Sequence, residues 1–360
     1  MATASRRSLA APRGTRRRFE AAVRHLTTPL LPEDYLGLLN PLWSTVELRG
    51  RVEAVRHEAP DVATLVIKPG RAWRGHLPGQ WVKVGVDVGG VRHWRTFSLS
   101  SPPRRDGRIT ITVKAAPDGF VSAHLVREVR PGVIVRLGQA DGEFVLPAEV
   151  PRKLLFVTAG SGITPVMAML RRLGGSSDVV VVHSARTAGD VIFGAELRAM
   201  RGLRLHERHT LVEGRLKPSD LSGVCADWAE RAAWACGPGE MLDDLAAHWR
   251  AAGAEERLRV ERFRTVLDGG QTDRGQGGRV TFSRSGVEVD ADGGTPLLVA
   301  GEDAGALLPS GCRMGICRSC VGRLCSGKVR DLRTGEVHGE EGDIVQTCVS
   351  AAAGPVEIEL

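Results

Sequence analysis

Three of the seven cysteines in this 360-residue chain, Cys312, Cys317 and Cys320, fall in C-x4-C-x2-C register, and Cys348 follows after 27 intervening residues. Thiolates are soft ligands that suit iron, and two irons bridged by sulfide need two protein ligands each. The spacing is that of a plant-type [2Fe-2S] cluster, so one-electron chemistry is the leading expectation. Gly311 and Gly315 let the backbone of such a loop curl, because glycine tolerates positive φ. A zinc knuckle is the alternative, but it pairs cysteines as two C-x2-4-C units and the second pair is missing here. Cys325, Cys225 and Cys236 stand outside the ligand pattern and are expected to be ordinary thiols.

A second chemistry is suggested upstream. The apolar run Lys153–Thr158 leads into Gly160-Ser161-Gly162-Ile163-Thr164-Pro165, small residues where a backbone can approach phosphate ahead of a helix N-terminus. Thr164 is expected as the N-cap and Pro165 as a first-turn residue. Pro165 occupies the third glycine position of the Rossmann fingerprint, so this is not that motif, and a plain tight turn is the competing reading. The next strand ends in His183-Ser184-Ala185-Arg186, where an NAD-preferring site would want an acid; Ser184 and Arg186 favour NADPH over NADH. Cys236-Gly237-Pro238 puts a thiol and small residues at another strand end, with a buried, hydrophobe-like Cys236 as the bland alternative.

Arg95-Thr96-Phe97-Ser98 joins a guanidinium, an aromatic plane and two hydroxyls on one β-like stretch. Alternation puts Arg95 and Phe97 on one face and Thr96 and Ser98 on the other. Gly119-Phe120-Val121-Ser122 offers a helix start whose free N–H groups suit a pyrophosphate. The ten histidines show no metal or triad spacing.

The elements that must position these residues change character along the chain. Residues 1–45 comprise an arm with six arginines and no acid in its first 18 positions, then a Leu/Pro-rich segment. The arm is expected to be unstructured by composition, with contact to an anionic membrane surface or a transit peptide as alternatives. Residues 46–150 carry short β-like runs separated by Gly/Pro turns, which suggests an antiparallel β-barrel. Residues 151–267 alternate strand and helix, the pattern of an open parallel α/β sheet. A glycine-rich linker is expected over 268–278, and 279–360 opens on alternating apolar residues and carries the cysteine loop. Composition is that of a soluble globular protein, and no run of 18 apolar residues suggests a transmembrane helix. An odd cysteine count with four in a metal pattern points to a reducing cytoplasm. With 4% aromatic residues there is no base-stacking platform, which argues against nucleic acid.

These motifs, in this order over residues 46–360, resemble the ferredoxin-NADP reductase superfamily fused to a C-terminal plant-type ferredoxin domain. The resemblance implies a flavin barrel, a nucleotide sheet and an α+β (β-grasp) iron-sulfur domain. Arg95-Thr96-Phe97-Ser98 is similar to the family's R-x-Y-S flavin motif; Phe97 keeps ring stacking and loses the phenolic donor. Gly119, Val121 and Ser122 fall in the G-x-x-S phosphate motif of FAD-binding members, so FAD is implied before FMN, which reductases of the phthalate dioxygenase type use. Gly160, Gly162, Thr164, Pro165, Gly237 and Pro238 match the nicotinamide-nucleotide motifs. Glu261-Arg262-Phe263 resembles the segment whose aromatic ring, here Phe263, shields the flavin. The implied roles are Ser98 near flavin N5, Arg95 on flavin phosphate, Ser122 on pyrophosphate and Cys236 beside the nicotinamide, with Ser98 and Cys236 as the catalytic pair. More narrowly, the Arg-rich arm and Leu/Pro-rich segment are similar to actinobacterial reductases that serve membrane-bound stearoyl-CoA desaturases. A hydroxylase, cytochrome P450 or Rieske dioxygenase is the alternative acceptor, and a redox-sensing or zinc-binding module is the alternative of a different class.

Overall fold

The computed structural model describes residues 40–44, 47–88, 91–116, 120–175, 177–263, 277–310, 315 and 318–360. The basic arm, most of the Leu/Pro-rich segment, Gly119, Cys312, Cys317 and residues 264–276 lie outside the described residues. The end of the Leu/Pro-rich segment forms a single 3-10 turn, Pro41–Trp43, in which Asn40 Oδ1 accepts from Leu42 N at 3.0 Å. Arg71 lies 4.8 Å from the centre of the Trp43 ring and fastens that turn to the following sheet by a cation–π contact.

Six antiparallel strands follow: β1 (Arg49–Ala59), β2 (Val62–Pro69), β3 (Trp81–Val88), β4 (Val91–Ser98), β5 (Ile109–Lys114) and β6 (Ile134–Asp141). Their order is β4-β3-β6-β1-β2-β5, and a bridge between Leu99 and Ile111 brings the two edges together, as expected of a barrel. Alternation does the sorting. On β2 the side chains of Ala63, Leu65 and Ile67 fill the interior with Val82, Val84, Ile111 and Leu125. The opposite face carries a buried hydroxyl ladder, with Thr64 Oγ1 2.8 Å from Thr112 Oγ1 and Ser100 Oγ 2.8 Å from Thr110 Oγ1. Each hydroxyl thereby finds the partner that burial demands. Helix α1 (Phe120–Arg127) closes one end of the barrel.

The second sheet is parallel, in the order β11-β10-β7-β8-β9, where β7 is Lys153–Ala159, β8 Asp178–Ala185, β9 Leu203–His209, β10 Ala232–Gly237 and β11 Leu258–Arg262. Its central strands are apolar on both faces. Leu154, Phe156, Val179 and Val181 pack on one side and Leu155, Val157, Val180 and Val182 on the other, as helices on both faces require. Helix α2 (Ile163–Leu173) covers the first side and ends at Gly174 in the left-handed region at φ 58°. Helix α3 (Gly239–Ala251) covers the second with Leu242, Leu245 and Trp249. Val62 and Phe144 of the barrel sit in the core of the sheet's first side, and Arg171 Nη1 donates to the Ser100 carbonyl, so these two units share one core.

Arg231 ties together the amino ends of the parallel strands. Its side chain is 1% exposed and donates to Asp227 at 2.8 Å and Asp178 at 2.7 Å. It also donates to the carbonyl of Leu154 at 3.3 Å. Both carboxyls are held below the usual range, first by the Arg231 hydrogen bond. Removing Arg231 takes a donor from the Leu154 and Asp178 carbonyls and from two carboxyls that still meet water, so Arg231→Met is expected to lose about 2 kcal/mol of stability by urea unfolding. Equal midpoints for variant and parent would count against this role.

The third sheet has the order β13-β12-β17-β14-β15, with β16 paired to β14; β12 is Gly278–Phe282, β13 Val287–Ala291, β14 Val321–Asp331, β15 Val337–His338, β16 Ile344–Gln346 and β17 Ser350–Glu359. Strands β12 and β17 run parallel and the other pairs antiparallel, with helix α4 (Leu297–Asp303) packed on the sheet. The expected linker ends earlier than its composition suggests. Gly278 already opens β12, and a side chain there would collide with the Gly354 carbonyl, so this glycine serves close strand approach rather than flexibility.

Candidate functional site

Strand β4 presents the first group of expected residues. Thr96 faces Lys83 and Ser98 faces Trp81 in the β3–β4 register, while Arg95 and Phe97 face Val84 and Val82 on the other side. The Phe97 ring packs half-exposed against the barrel core. Arg95 Nη1 donates to the Trp94 carbonyl at 2.8 Å, and Ser98 is 6% exposed. Thr96 Oγ1 is buried without a protein partner, the kind of orphan that a ligand's polar atom relieves. Helix α1 begins at Phe120 with no acid in its first turn among the described residues. Ser122 Oγ accepts from Ala116 N at 3.0 Å, which fixes the hydroxyl beside the helix start. The Val121 side chain sits in the barrel core, which leaves its backbone amide as the group that faces a ligand site. These residues fit a phosphate-bearing flavin.

The two glycine turns of the parallel sheet meet. Cys236 pairs with Thr158 across β10 and β7, the strands between which the chain order reverses, and this is the crevice where open α/β sheets bind ligands. A side chain at Gly162 would strike the Cys236 carbonyl, whereas one at Gly160 would meet nothing within 4 Å. Gly162 is thus needed for close approach of the two turns, and Gly160 turns at φ 53°, in the left-handed region that favours glycine. Gly237 is pressed by Met241 and Ala159, and Pro238 caps α3.

Thr164 is not the N-cap. The helix starts at Ile163 after Gly162, and the Thr164 hydroxyl lies inside its first turn, donating to the Ser161 carbonyl at 2.9 Å. Pro165 sits in the first turn, where its missing N–H costs nothing. At the end of β8, Ser184 Oγ is buried without a partner and Arg186 is exposed just beyond. The neighbouring His183 is fully buried, its Nδ1 2.8 Å from Thr158 Oγ1, and burial pushes its pKa down to about 4. It is a neutral group in the core, with Nε2 enclosed without a hydrogen-bond partner.

Cys236 is 0% exposed and belongs to the same core as Phe156 and Trp234. Burial pushes its thiol well above the ordinary value, so it stays protonated and behaves as a small hydrophobe with a weak S–H. Phe263 packs against that same core. A residue missed in the sequence lies beside them: Glu261 is the register partner of Cys236 on β11, and its Oε2 is enclosed without a hydrogen bond. Burial raises its pKa to about 8. The motif around Phe263 was legible, but only strand register shows that its glutamate lies next to the cysteine.

The cysteine pair of the third sheet comes together from segments far apart in the chain. Cys320 precedes β14 and Cys348 lies between β16 and β17; they are 1% and 5% exposed and pack with Leu298 and Val349. Thr347 fastens them, its N–H donating to the Cys320 carbonyl at 2.8 Å and its hydroxyl to the same oxygen at 3.2 Å. Gln346 Nε2 donates to the carbonyl of Gly315, which turns at φ 71°. Two thiols from distant segments in a dry pocket fit a thiolate-held cluster.

Residues 50–145 match the family of the oxidoreductase FAD-binding domain, and residues 280–353 that of the 2Fe-2S iron-sulfur cluster binding domain. Over 346 residues the chain is 52% identical to an NADPH oxidoreductase of Mycobacterium tuberculosis (strain ATCC 25618 / H37Rv), covering 93% of this chain and 90% of that protein. It is 30% identical over 293 residues to the ferredoxin reductase component of 3-ketosteroid-9-alpha-monooxygenase of Mycolicibacterium smegmatis (strain ATCC 700084 / mc(2)155), covering 75% of this chain and 80% of that one. The solved structure of phthalate dioxygenase reductase shares the fold at a TM-score of 0.62 and 23% identity, over 87% of this chain and 98% of that chain.

Proposed function

Because the chain belongs to the ferredoxin-reductase-type flavoprotein oxidoreductases with an FAD-binding domain and a C-terminal 2Fe-2S domain, we propose that it draws electrons from NADPH and delivers them singly to an oxygen-activating partner protein. The observation that carries this reading is the meeting of the two glycine turns at the sheet's switch point, on a core shared with the flavin barrel. A flavin, when bound, accepts the hydride of a nicotinamide and releases its electrons one at a time, which is what a [2Fe-2S] centre can take.

The chain's residues position and tune. Arg95 neutralises flavin phosphate, Phe97 lies against the ring, and Thr96 and Ser98 supply polar partners to its edge. Backbone amides from Gly119 to Ser122 hold the pyrophosphate of FAD. Gly160, Gly162, Thr164 and Pro165 shape the phosphate turn, while Gly237, Pro238 and Phe263 enclose the nicotinamide end and exclude water, with the Cys236 thiol buried beneath them. Glu261, neutral below about pH 8, offers a proton beside Cys236. Cys312, Cys317, Cys320 and Cys348 hold the iron.

The orphan Ser184 hydroxyl, the Arg186 charge and the name of the 52%-identical relative support NADPH over NADH. Arg186→Ala is expected to raise KM for NADPH about tenfold and leave KM for NADH unchanged in steady-state assays; equal effects on both would sink the assignment. For the acceptor, we propose a membrane-bound stearoyl-CoA desaturase, approached along the membrane surface through the basic arm. The relative named as a monooxygenase component favours a hydroxylase as the second reading. A visible spectrum with cofactor extraction, followed by reconstitution with each acceptor class, tests both levels. Protein without flavin and iron absorption would overturn the function itself; turnover with the hydroxylase alone would overturn only the desaturase. Among the described residues no helix is long and apolar enough to cross a membrane.

A further inference from the structure

The barrel and parallel sheet share a core, whereas among the described residues the cores of the third sheet contain only its own residues. Between that sheet and the barrel runs a cavity of about 980 Å³, with Lys83, Trp94 and Gly138 on one wall and Glu302, Leu307 and Ser319 on the other. At its border Lys83 Nζ donates to Ser319 Oγ at 3.0 Å. Each end of this contact adjoins residues of a candidate site. Lys83 is the register partner of Thr96 in the Arg95–Ser98 strand, and Ser319 directly precedes the buried Cys320.

We propose that Lys83 is a positioning residue between the flavin and the iron-sulfur centre: it pins the cysteine loop to the barrel, and its charge favours the reduced cluster. The proposal rests on the function proposed above. Each transfer oxidises the flavin by one electron and reduces the cluster by one, and no atom passes between them. The cluster side gains a negative charge, which a nearby ammonium stabilises. Because the two walls stand apart over much of this face, dispersion contacts define the approach poorly there and a polar pin carries more of it.

Lys83→Met, Lys83→Arg and Ser319→Ala in the full-length, cofactor-loaded protein test the idea. The readouts are EPR-monitored redox titration of the cluster and stopped-flow transfer from flavin to cluster. Lys83→Met is expected to shift the electron-sharing equilibrium about tenfold toward the flavin, a fall of about 59 mV in a one-electron potential. Lys83→Arg retains a cation and should stay near the parent potential. Ser319→Ala loses the acceptor but keeps the charge, so transfer should slow with a smaller change in potential. Parent potential and parent rate in Lys83→Met would overturn the proposal. Should that variant fail to load its cluster, Ser319→Ala decides: a parent rate there overturns it, a slowed rate supports it. Parent protein lacking either chromophore would instead remove the function on which the proposal stands.

Discussion

Cys320→Ala is expected to keep the flavin spectrum and lose the iron-sulfur one, and with it at least about 100-fold of the rate at which a one-electron protein acceptor is reduced. The thiol is 1% exposed, the residue's carbonyl accepts from both the N–H and the hydroxyl of Thr347, and Cys348 packs beside it, so the substitution removes a sulfur from inside a dry pocket. Cys325→Ala is the matched control. That thiol lies half-buried on β14, outside the ligand pattern. Absorption, EPR signal and acceptor reduction should all survive its removal. A Cys320→Ala protein with an intact cluster signal, or a Cys325→Ala protein without one, would refute the ligand assignment.

The second large effect concerns pH. Glu261 has an ordinary pKa of 4.5 that burial raises to about 8 in the folded chain. Below pH 4.5 the carboxyl is protonated in both folded and unfolded states, and the native state suffers no penalty. Between 4.5 and about 8 the unfolded chain releases a proton that the native chain retains, so stability falls as pH rises through that window. The full loss is reached above the folded pKa. A displacement from 4.5 to about 8 corresponds to at most about 5 kcal/mol, a ceiling because part of the side chain meets water. Glu261→Gln keeps a neutral, isosteric group at every pH. Its melting temperature should match the parent near pH 5 and exceed it by several degrees at pH 9. The same comparison of hydride-transfer rates reports whether the proton beside Cys236 is used. Identical pH slopes of melting temperature in the two proteins would show that Glu261 does not hold its proton in the native state.

The elements of this protein were legible because each is written in a local pattern. The short β-like run of β2, alternating residues in β5, unbroken apolar runs in β7 and β8, and helical spacing after Gly162 all follow from the periodicity of the backbone. The cysteine spacing was equally plain, since three ligands come from one loop. Details that depend on exact backbone path were less so. Thr164 has the composition of an N-cap but lies inside the helix, because Gly162 can approach Cys236 closely and so begins the turn earlier. Gly278 reads as linker but is strand, since β17 passes too near for any side chain.

By itself, then, the sequence determined three kinds of unit, their order, and the residue types able to hold a nucleotide, a flavin and iron. Only the tertiary structure decided which of those residues share a place. Glu261 reaches Cys236 through strand register, Cys320 meets Cys348 through Thr347, and Lys83 reaches Ser319 across 236 positions. Local propensity is set by neighbours in the chain, whereas these contacts depend on packing between segments far apart in it, and no local pattern encodes that.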